Sequence, residues 1–133
     1  MSKENVELTH RALDAFIRRD VEAAIAFWDP DGVWYPGMEA DVEGGKVYRG
    51  QAEIRRYYQD LAGFSDEHDI EVCDVRDLGD KVLLLLRMTM RFASGVTLDQ
   101  DGGALLTWRD GKLLEARAYM SRADALEAAG LRE

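Results

Sequence analysis

The 133-residue sequence predicts an α+β domain in which a strongly curved antiparallel sheet wraps around helices. Two patterns carry this prediction. Apolar residues recur at helical spacing in the first part of the chain, and residues 69–120 contain four strand-like runs separated by three tight-turn signals. A sheet of that curvature forms a cup, and a concave surface is where a binding or catalytic site is expected.

The first two helices are defined by their capping residues. Helix one is predicted to begin at Ser2 and helix two at Asp20, because a hydroxyl or carboxylate at the N-cap accepts a hydrogen bond from a free backbone N–H. Helix two is predicted to carry Trp28 and to end at a turn over residues 29–32, where Pro30 suits the second turn position. The apolar stripe of helix one consists of Val6, Ala12, Leu13, Phe16 and Ile17.

The remaining elements follow from alternation, turn residues and glycine stops. A short strand at residues 33–35 and an edge strand at residues 47–48 precede a third helix, which begins at Gly50 and ends at Gly63. The later predicted elements are strands over about residues 69–75 and 81–93, two further strands meeting at the Asp110-Gly111 hairpin turn, and a last helix between Ser121 and Gly130.

Composition limits the class of function. The net charge of −9 argues against nucleic acid or an anionic membrane as a partner, because both attract basic surfaces. Cys73 is the single cysteine, which rules out an internal disulfide, and the N-terminus lacks a signal-peptide pattern, so we expect a cytoplasmic protein. The histidines and the cysteine do not have metal-site spacing, and no cofactor is expected.

The order of the elements and three short runs resemble the SnoaL-like (polyketide cyclase-like) branch of the nuclear transport factor 2-like superfamily. The runs are Asp29-Pro30-Asp31-Gly32-Val33-Trp34, Val47-Tyr48-Arg49-Gly50, and Arg109-Asp110-Gly111-Lys112 with the later Tyr119 and Ala125-Leu126-Glu127-Ala128-Ala129-Gly130-Leu131. The resemblance covers residues 1–133 as a single domain. It implies a cone-shaped α+β barrel with a mixed sheet, an internal pocket, and a homodimer formed through the outer face of the sheet.

The resemblance also implies that several catalytic groups are missing. Epoxide hydrolase and cyclase relatives carry a catalytic acid on the last strand, at the position of Ala118 here, and many SnoaL-like relatives carry a histidine at the position of Ala104. Trp34 and Pro36 stand where the epoxide hydrolases have a tyrosine and an asparagine that hold water. Epoxide hydrolysis is not expected, because its water site needs the acid, the tyrosine and the asparagine together.

Strand register determines which polar side chains enter the cup. A two-residue turn at Ser94-Gly95 pairs Thr89 with Gln100 and Arg87 with Gly102, so that Arg87, Thr89 and Gln100 face inward. A guanidinium inside an apolar cup would bind a carboxylate or an enolate.

A different register would change this arrangement, because a shift of one residue turns a whole strand over. In one alternative Arg87 points outward and pairs with an acid such as Asp101; in another, Asp99 and Asp101 become carboxylates of the pocket. Both alternatives remain open at the level of sequence.

Aromatic residues are expected to form part of the cup wall, although such residues are also common in ordinary cores. Tyr58 is a candidate hydrogen-bond donor to a ligand carbonyl. Residues 37–45 form an acidic, glycine-bearing loop that is either a lid or an ordinary exposed loop. The candidate catalytic residues are Arg87 and Tyr58, and the predicted pocket residues are Leu13, Phe16, Trp28, Trp34, Tyr58, Leu61, Phe64, Arg87, Thr89, Gln100, Ala104, Leu106, Ala118 and Met120.

These observations predict a protein that binds a small hydrophobic or aromatic molecule in a mainly apolar pocket. One alternative is a cyclase or isomerase acting on a polyketide-like or cyclic ketone substrate through enolate stabilisation. Another is a dimeric accessory module whose working surface is the outer sheet face, including Arg117 and Tyr119. Whether the protein is an enzyme stays open, because the same fold serves many functions.

Overall fold

The computed structural model describes residues 3–36, 46–64, 67–91 and 94–131. The predicted cap Ser2 and the loop at residues 37–45 lie outside the described residues. The described elements are α1 (Lys3–Ile17), α2 (Val21–Ala26), β1 (Trp28–Tyr35), β2 (Tyr48–Arg49), α3 (Gly50–Phe64), β3 (Glu67–Asp77), β4 (Lys81–Arg91), β5 (Thr97–Arg109), β6 (Lys112–Tyr119) and α4 (Arg122–Ala128).

The described strands form one curved sheet in the order β2-β1-β6-β5-β4-β3. β1 runs parallel to β6, and every other neighbouring pair is antiparallel. Helices α1, α2 and α3 pack on one face, here called the inner face, and α4 packs on the opposite, outer face. The predicted α+β class, with a curved mixed sheet around N-terminal helices and a short C-terminal helix, is confirmed.

The central strand β4 is buried on both faces. Leu84 packs into the inner core, whereas Leu83 and Leu85 pack on the outer face against Ala125 and Leu126 of α4. This explains the run of apolar residues at the start of β4, because a strand covered on both sides has no polar face. The outer apolar residues of this strand are therefore covered within the chain itself.

Three local predictions are confirmed. The Asp20 carboxylate accepts a hydrogen bond from the backbone N–H of Ala23 at 3.2 Å, and the Ser121 hydroxyl accepts one from Asp124 at 3.0 Å. Asp110-Gly111 has positive φ at both residues, 53° and 77°, as a tight hairpin turn of this kind requires. Capping and turn chemistry are local, so the sequence alone is enough to place them.

The boundary between α2 and β1 differs from the prediction. Trp28 was predicted at the end of helix two, but it begins β1 and pairs with Leu113 of β6. The predicted turn at residues 29–32 is instead an irregularity within the strand, where the Asp29 carboxylate accepts a hydrogen bond from the Asp31 backbone N–H at 2.9 Å. Pairing with β6 on both sides of this irregularity keeps the chain in the sheet.

The register between β4 and β5 is also different from the prediction. The two-residue turn set Arg87 opposite Gly102, whereas the structure pairs Arg87 with Asp101. Pairing starts at Arg91 and Thr97, which leaves an odd number of residues between the strands. Side chains alternate between the two faces of a strand. A connection with an odd number of residues therefore pairs β4 with β5 so that Arg87 lies on the face opposite to the one that a two-residue turn predicts.

The prediction that Arg87 and Thr89 line the cup was therefore wrong. Both lie on the outer face, where the Arg87 guanidinium donates to the carboxylates of Asp99 and Asp101, each at 3.0 Å. The Thr89 hydroxyl donates to Asp99 at 3.2 Å. The alternative with an outward Arg87 paired with Asp101 is confirmed, and the alternative with Asp99 and Asp101 inside the cup is wrong.

A buried hydrogen-bond chain attaches α1 to the sheet. The indole N–H of Trp108 donates to the Thr9 hydroxyl at 2.8 Å, and that hydroxyl donates to the carbonyl of Asn5 at 2.8 Å. Thr9 is completely buried and Trp108 is 2% exposed, so water does not replace these bonds.

Substituting Thr9→Val should lower the free energy of unfolding by about 1–3 kcal/mol, because the shape is kept but the buried indole N–H loses its acceptor. Urea unfolding followed by tryptophan fluorescence measures this change. Thr9→Ser keeps the hydroxyl and should lose less stability than Thr9→Val. Equal losses in the two variants would contradict a contribution from the hydrogen bond.

Candidate functional site

On the inner face of β4, β5 and β6, the side chains are fully buried at one end of the strands and partly exposed at the other. At one end the inner side chains are 0–3% exposed, namely Val82, Trp108 and Leu113. Toward the other end the inner residues are only half-buried, namely Leu86, Met88, Gly102, Ala104 and Ala118. We call this graded part of the inner face the recess and its half-buried end the open end; a ligand pocket there stays a prediction.

Aromatic rings from α1, β1, β2 and α3 form one side of this recess. Tyr57 is central to the group: its ring meets Tyr48 at 5.0 Å, Trp34 at 5.6 Å and Tyr58 at 6.0 Å between centroids. Phe16 of α1 meets Tyr58 at 5.5 Å. All four contacts have edge-to-face geometry, in which the positive edge of one ring meets the negative face of another. This electrostatic attraction stabilises the wall in addition to the burial of apolar surface.

Tyr58 is held by a hydrogen bond from Trp28, whose indole N–H donates to the phenol oxygen at 2.9 Å. Burial raises the pKa of Tyr58 to about 12, and the bond from Trp28 lowers it by a smaller amount. The phenol is consequently neutral at physiological pH and retains its O–H hydrogen. It is a buried hydrogen-bond donor of the kind that recognises an acceptor on a ligand.

The indole nitrogen of Trp34 is a second notable group on the same wall. Its Nε1 atom is buried and has no hydrogen-bond partner among the residues that the structure describes. Trp34 pairs with Ala116 in the β1–β6 register, and Ala116 belongs to the inner core, so the indole lies on the inner face.

The opposite wall is apolar. Val72, Leu86 and Ala104 from three strands all pack on the inner core while remaining partly exposed. At the open end, the side-chain amide of Gln100 donates to the backbone carbonyl of Met120 at 2.7 Å, so this polar group is used to connect β5 to the end of β6.

Six of the fourteen predicted pocket residues are half-buried hydrophobic residues that lie on the inner sheet face or on elements that pack against it. They are Leu13, Phe16, Trp34, Tyr58, Ala104 and Ala118. Trp28 and Leu106 are 2% and 7% exposed and belong to the core beneath the recess. The side chains of Leu61 and Phe64 lie outside the described part of the chain. The contact of any of these residues with a ligand stays a prediction.

Two parts of the recess were missed at the level of sequence. Leu86 enters it because the true register turns the even-numbered residues of β4 inward. Tyr48 joins the aromatic wall because the short edge strand β2 pairs Tyr48 with Trp34. If the length of the β4–β5 connection had been known, the alternation of side chains along β4 would have placed Leu86 on the inner face. No local signal in the sequence indicates the contact of Tyr48 with Tyr57.

The arrangement limits the chemistry of the site. Arg87 cannot stabilise an enolate in the recess, because it lies on the outer face. Across residues 3–36, 46–64, 67–91 and 94–131, no three His, Cys, Asp or Glu side chains are grouped so that they would hold a metal ion.

None of the helices in these ranges is long and apolar enough to cross a membrane.

The chain has a curved mixed sheet around N-terminal helices, and NTF2-like proteins of known structure share this fold. The chain belongs to the SnoaL-like domain family, whose model matches residues 9–116. No curated protein sequence matches the chain significantly.

Solved structures with the same fold cover nearly the whole chain. TerC, co-crystallised with polyporic acid, has a TM-score of 0.77 at 20% identity, over 93% of this chain and 96% of that one. An NTF2-like protein of unknown function from Burkholderia pseudomallei K96243 has a TM-score of 0.79 at 16% identity, over 93% and 95%. An LEH-like epoxide hydrolase from M. tuberculosis has a TM-score of 0.75 at 16% identity, over 95% and 89%. Identities this low show a shared fold alone.

The raised pKa of Tyr58 predicts a loss of stability at high pH. Below pH 10 the Tyr58 phenol is neutral in both the folded and the unfolded protein. Between pH 10 and about 12, only the unfolded chain loses the phenol proton. The free energy of unfolding therefore falls by roughly 2–3 kcal/mol over this range. Urea unfolding at pH 9 and pH 11.5 measures the fall. It should be smaller in Tyr58→Phe than in wild type, and an identical pH dependence would contradict the burial of the phenol.

Proposed function

We propose that the protein binds a small hydrophobic or aromatic molecule in the recess of the inner sheet face. The observation that carries this proposal is the gradient of burial: apolar side chains on a concave surface become progressively exposed toward Ala104 and Ala118. A concave apolar surface with a few fixed polar groups is the usual form of a small-molecule site.

The aromatic wall supports the same proposal. Edge-to-face contacts hold the Tyr57 and Tyr58 rings in fixed orientations, so a flat ligand would meet a preorganised surface. The neutral Tyr58 phenol supplies a donor that would orient a ligand carrying an oxygen acceptor. The structure of TerC with polyporic acid supports the expectation of an organic ligand for a protein of this fold.

Filling the recess should abolish binding. Ala104 lies between Leu84 and Ala118 on the inner face, so Ala104→Phe places a ring where the ligand is expected. We expect isothermal titration calorimetry to show that the wild type binds 1-tetralone, polyporic acid or both, and that Ala104→Phe binds the same probe at least tenfold more weakly.

Two matched variants test the specificity of that loss. Ala123→Phe adds the same ring at an exposed position of α4, and Arg87→Gln removes the cation of the outer face. Both should bind both probes as the wild type does. Wild type that binds neither probe, or Ala104→Phe that binds as well as wild type, would contradict the proposal.

We also propose a cytoplasmic location and a homodimer formed through the outer faces of β1 and β6. Cys73 is a free, exposed thiol, which fits a reducing compartment. On the outer face, α4 covers Leu83 and Leu85 of β4. Next to β1, the guanidinium of Arg117 lies 4.0 Å from the centroid of the Tyr35 ring, and this stacked pair forms a flat surface suited to contact with a second copy.

Reversing the charge of Arg117 should separate the dimer. Arg117→Glu removes the stacked guanidinium and, in a twofold interface, places an acid near the same face of the partner. Light scattering coupled to size-exclusion chromatography at about 10 μM should show a dimer for wild type and a monomer for Arg117→Glu. Ala104→Phe, on the inner face, should remain a dimer; a monomeric wild type would contradict the proposal.

A further inference from the structure

The three tryptophan indoles of this chain have different hydrogen-bond states. Trp28 donates to Tyr58 at 2.9 Å, and Trp108 donates to Thr9 at 2.8 Å. Trp34 has a buried Nε1 for which the described part of the chain supplies no acceptor. Buried donors in folded proteins are almost always satisfied, so an unsatisfied one at the wall of a recess calls for a functional explanation.

A second donor lies on the same wall. Tyr58 uses its oxygen to accept the bond from Trp28, and no described residue accepts its own O–H hydrogen. An oxygen that accepts one hydrogen bond becomes a better donor, because successive hydrogen bonds polarise one another. Tyr57 contacts both Trp34 and Tyr58, so the two rings that carry the donors share one neighbouring ring.

The two donors and the facing wall together define the chemistry of a matching ligand. Trp34 and Tyr58 offer hydrogens, so the ligand must present oxygen or nitrogen lone pairs to them. Val72, Leu86 and Ala104 on the facing wall offer no acceptor. A ligand hydroxyl would accept from the donors, but its own O–H would find no acceptor on these three side chains.

Anionic ligands fit less well than neutral ones. Both donors are uncharged, because the raised pKa keeps Tyr58 protonated and an indole does not ionise in this range. A carboxylate would therefore be desolvated without a cation from either donor.

We propose that the Trp34 indole N–H and the Tyr58 O–H are the hydrogen-bond donors of the ligand site, and that the site selects neutral carbonyl compounds of aromatic or alicyclic type. A ketone oxygen has two lone pairs and no hydrogen, so it accepts from either donor without creating an unpaired group. The proposal rests on the proposed function, because it specifies the ligand class of the same recess.

The test compares three bicyclic probes of nearly equal shape: 1-tetralone, 1-tetralol and tetralin. Calorimetry on the wild-type protein should give at least tenfold tighter binding for the ketone than for the alcohol or the hydrocarbon. Trp34→Phe and Tyr58→Phe should each reduce the preference for the ketone over the hydrocarbon at least threefold. Trp108→Phe, whose indole bonds to Thr9, should keep the preference.

Indole ¹H–¹⁵N spectra of the wild-type protein test the same proposal without any substitution. The Trp34 signal is identified by its proximity to the Tyr57 ring, 5.6 Å between centroids. It should move downfield with 1-tetralone and not with tetralin, which controls for the ring current of the probe, while the Trp108 signal stays in place.

The outcomes separate the two proposals. If all three probes bind equally and the Trp34 signal does not distinguish tetralone from tetralin, the donor assignment is wrong while small-molecule binding stands. If none of the three probes binds at millimolar concentration, the donor assignment for ketones of this size is wrong. Calorimetry with polyporic acid then tests the proposed function separately: binding supports it, and no binding contradicts it.

Discussion

The antiparallel pairing of β4 with β5 determines which side chains enter the recess. These are long neighbouring strands of the sheet, and their register sets Leu84 opposite Ala104 on the inner face. The same register directs Arg87, Asp99 and Asp101 outward, where their charges remain in contact with water and with one another. Because one residue of shift would exchange the two faces, the apolar character of the recess depends on this pairing more than on any individual side chain.

Close packing around α4 reinforces this register. A Cβ atom at Gly103 would lie 2.7 Å from the Cβ of Ala125 and 2.7 Å from the carbonyl oxygen of Leu84. Glycine at that position lets α4 approach the outer face, and Leu83 and Leu85 then lose contact with water. The helix therefore supports the orientation of β4 from the side opposite the recess.

Local signals in the sequence were sufficient for most of the fold, and non-local contacts account for the differences. Asp20, Ser121 and Asp110-Gly111 act on backbone groups within a few residues, so their roles could be predicted. Trp28 is different, because its place in β1 depends on pairing with β6, more than 80 positions later. The face of Arg87 depends on the length of one connection, which turn propensity did not determine. The hydrogen bond from Trp28 to Tyr58 depends on the packing of α3 against β1, and so does the Trp34 indole, which meets no acceptor among the described residues. No pattern in the sequence encodes either feature.

The gradient of burial along the inner face separates two tasks within one short chain. Val82, Trp108 and Leu113 at the filled end carry the packing that makes the domain stable. Residues such as Ala104 and Ala118 contribute less to that packing, so substitutions there cost less stability and change mainly the surface that a ligand would meet. A domain divided in this way can acquire a new binding preference through a few substitutions at its open end while its folding remains intact. This division offers a physical reason why one architecture can serve so many different chemistries.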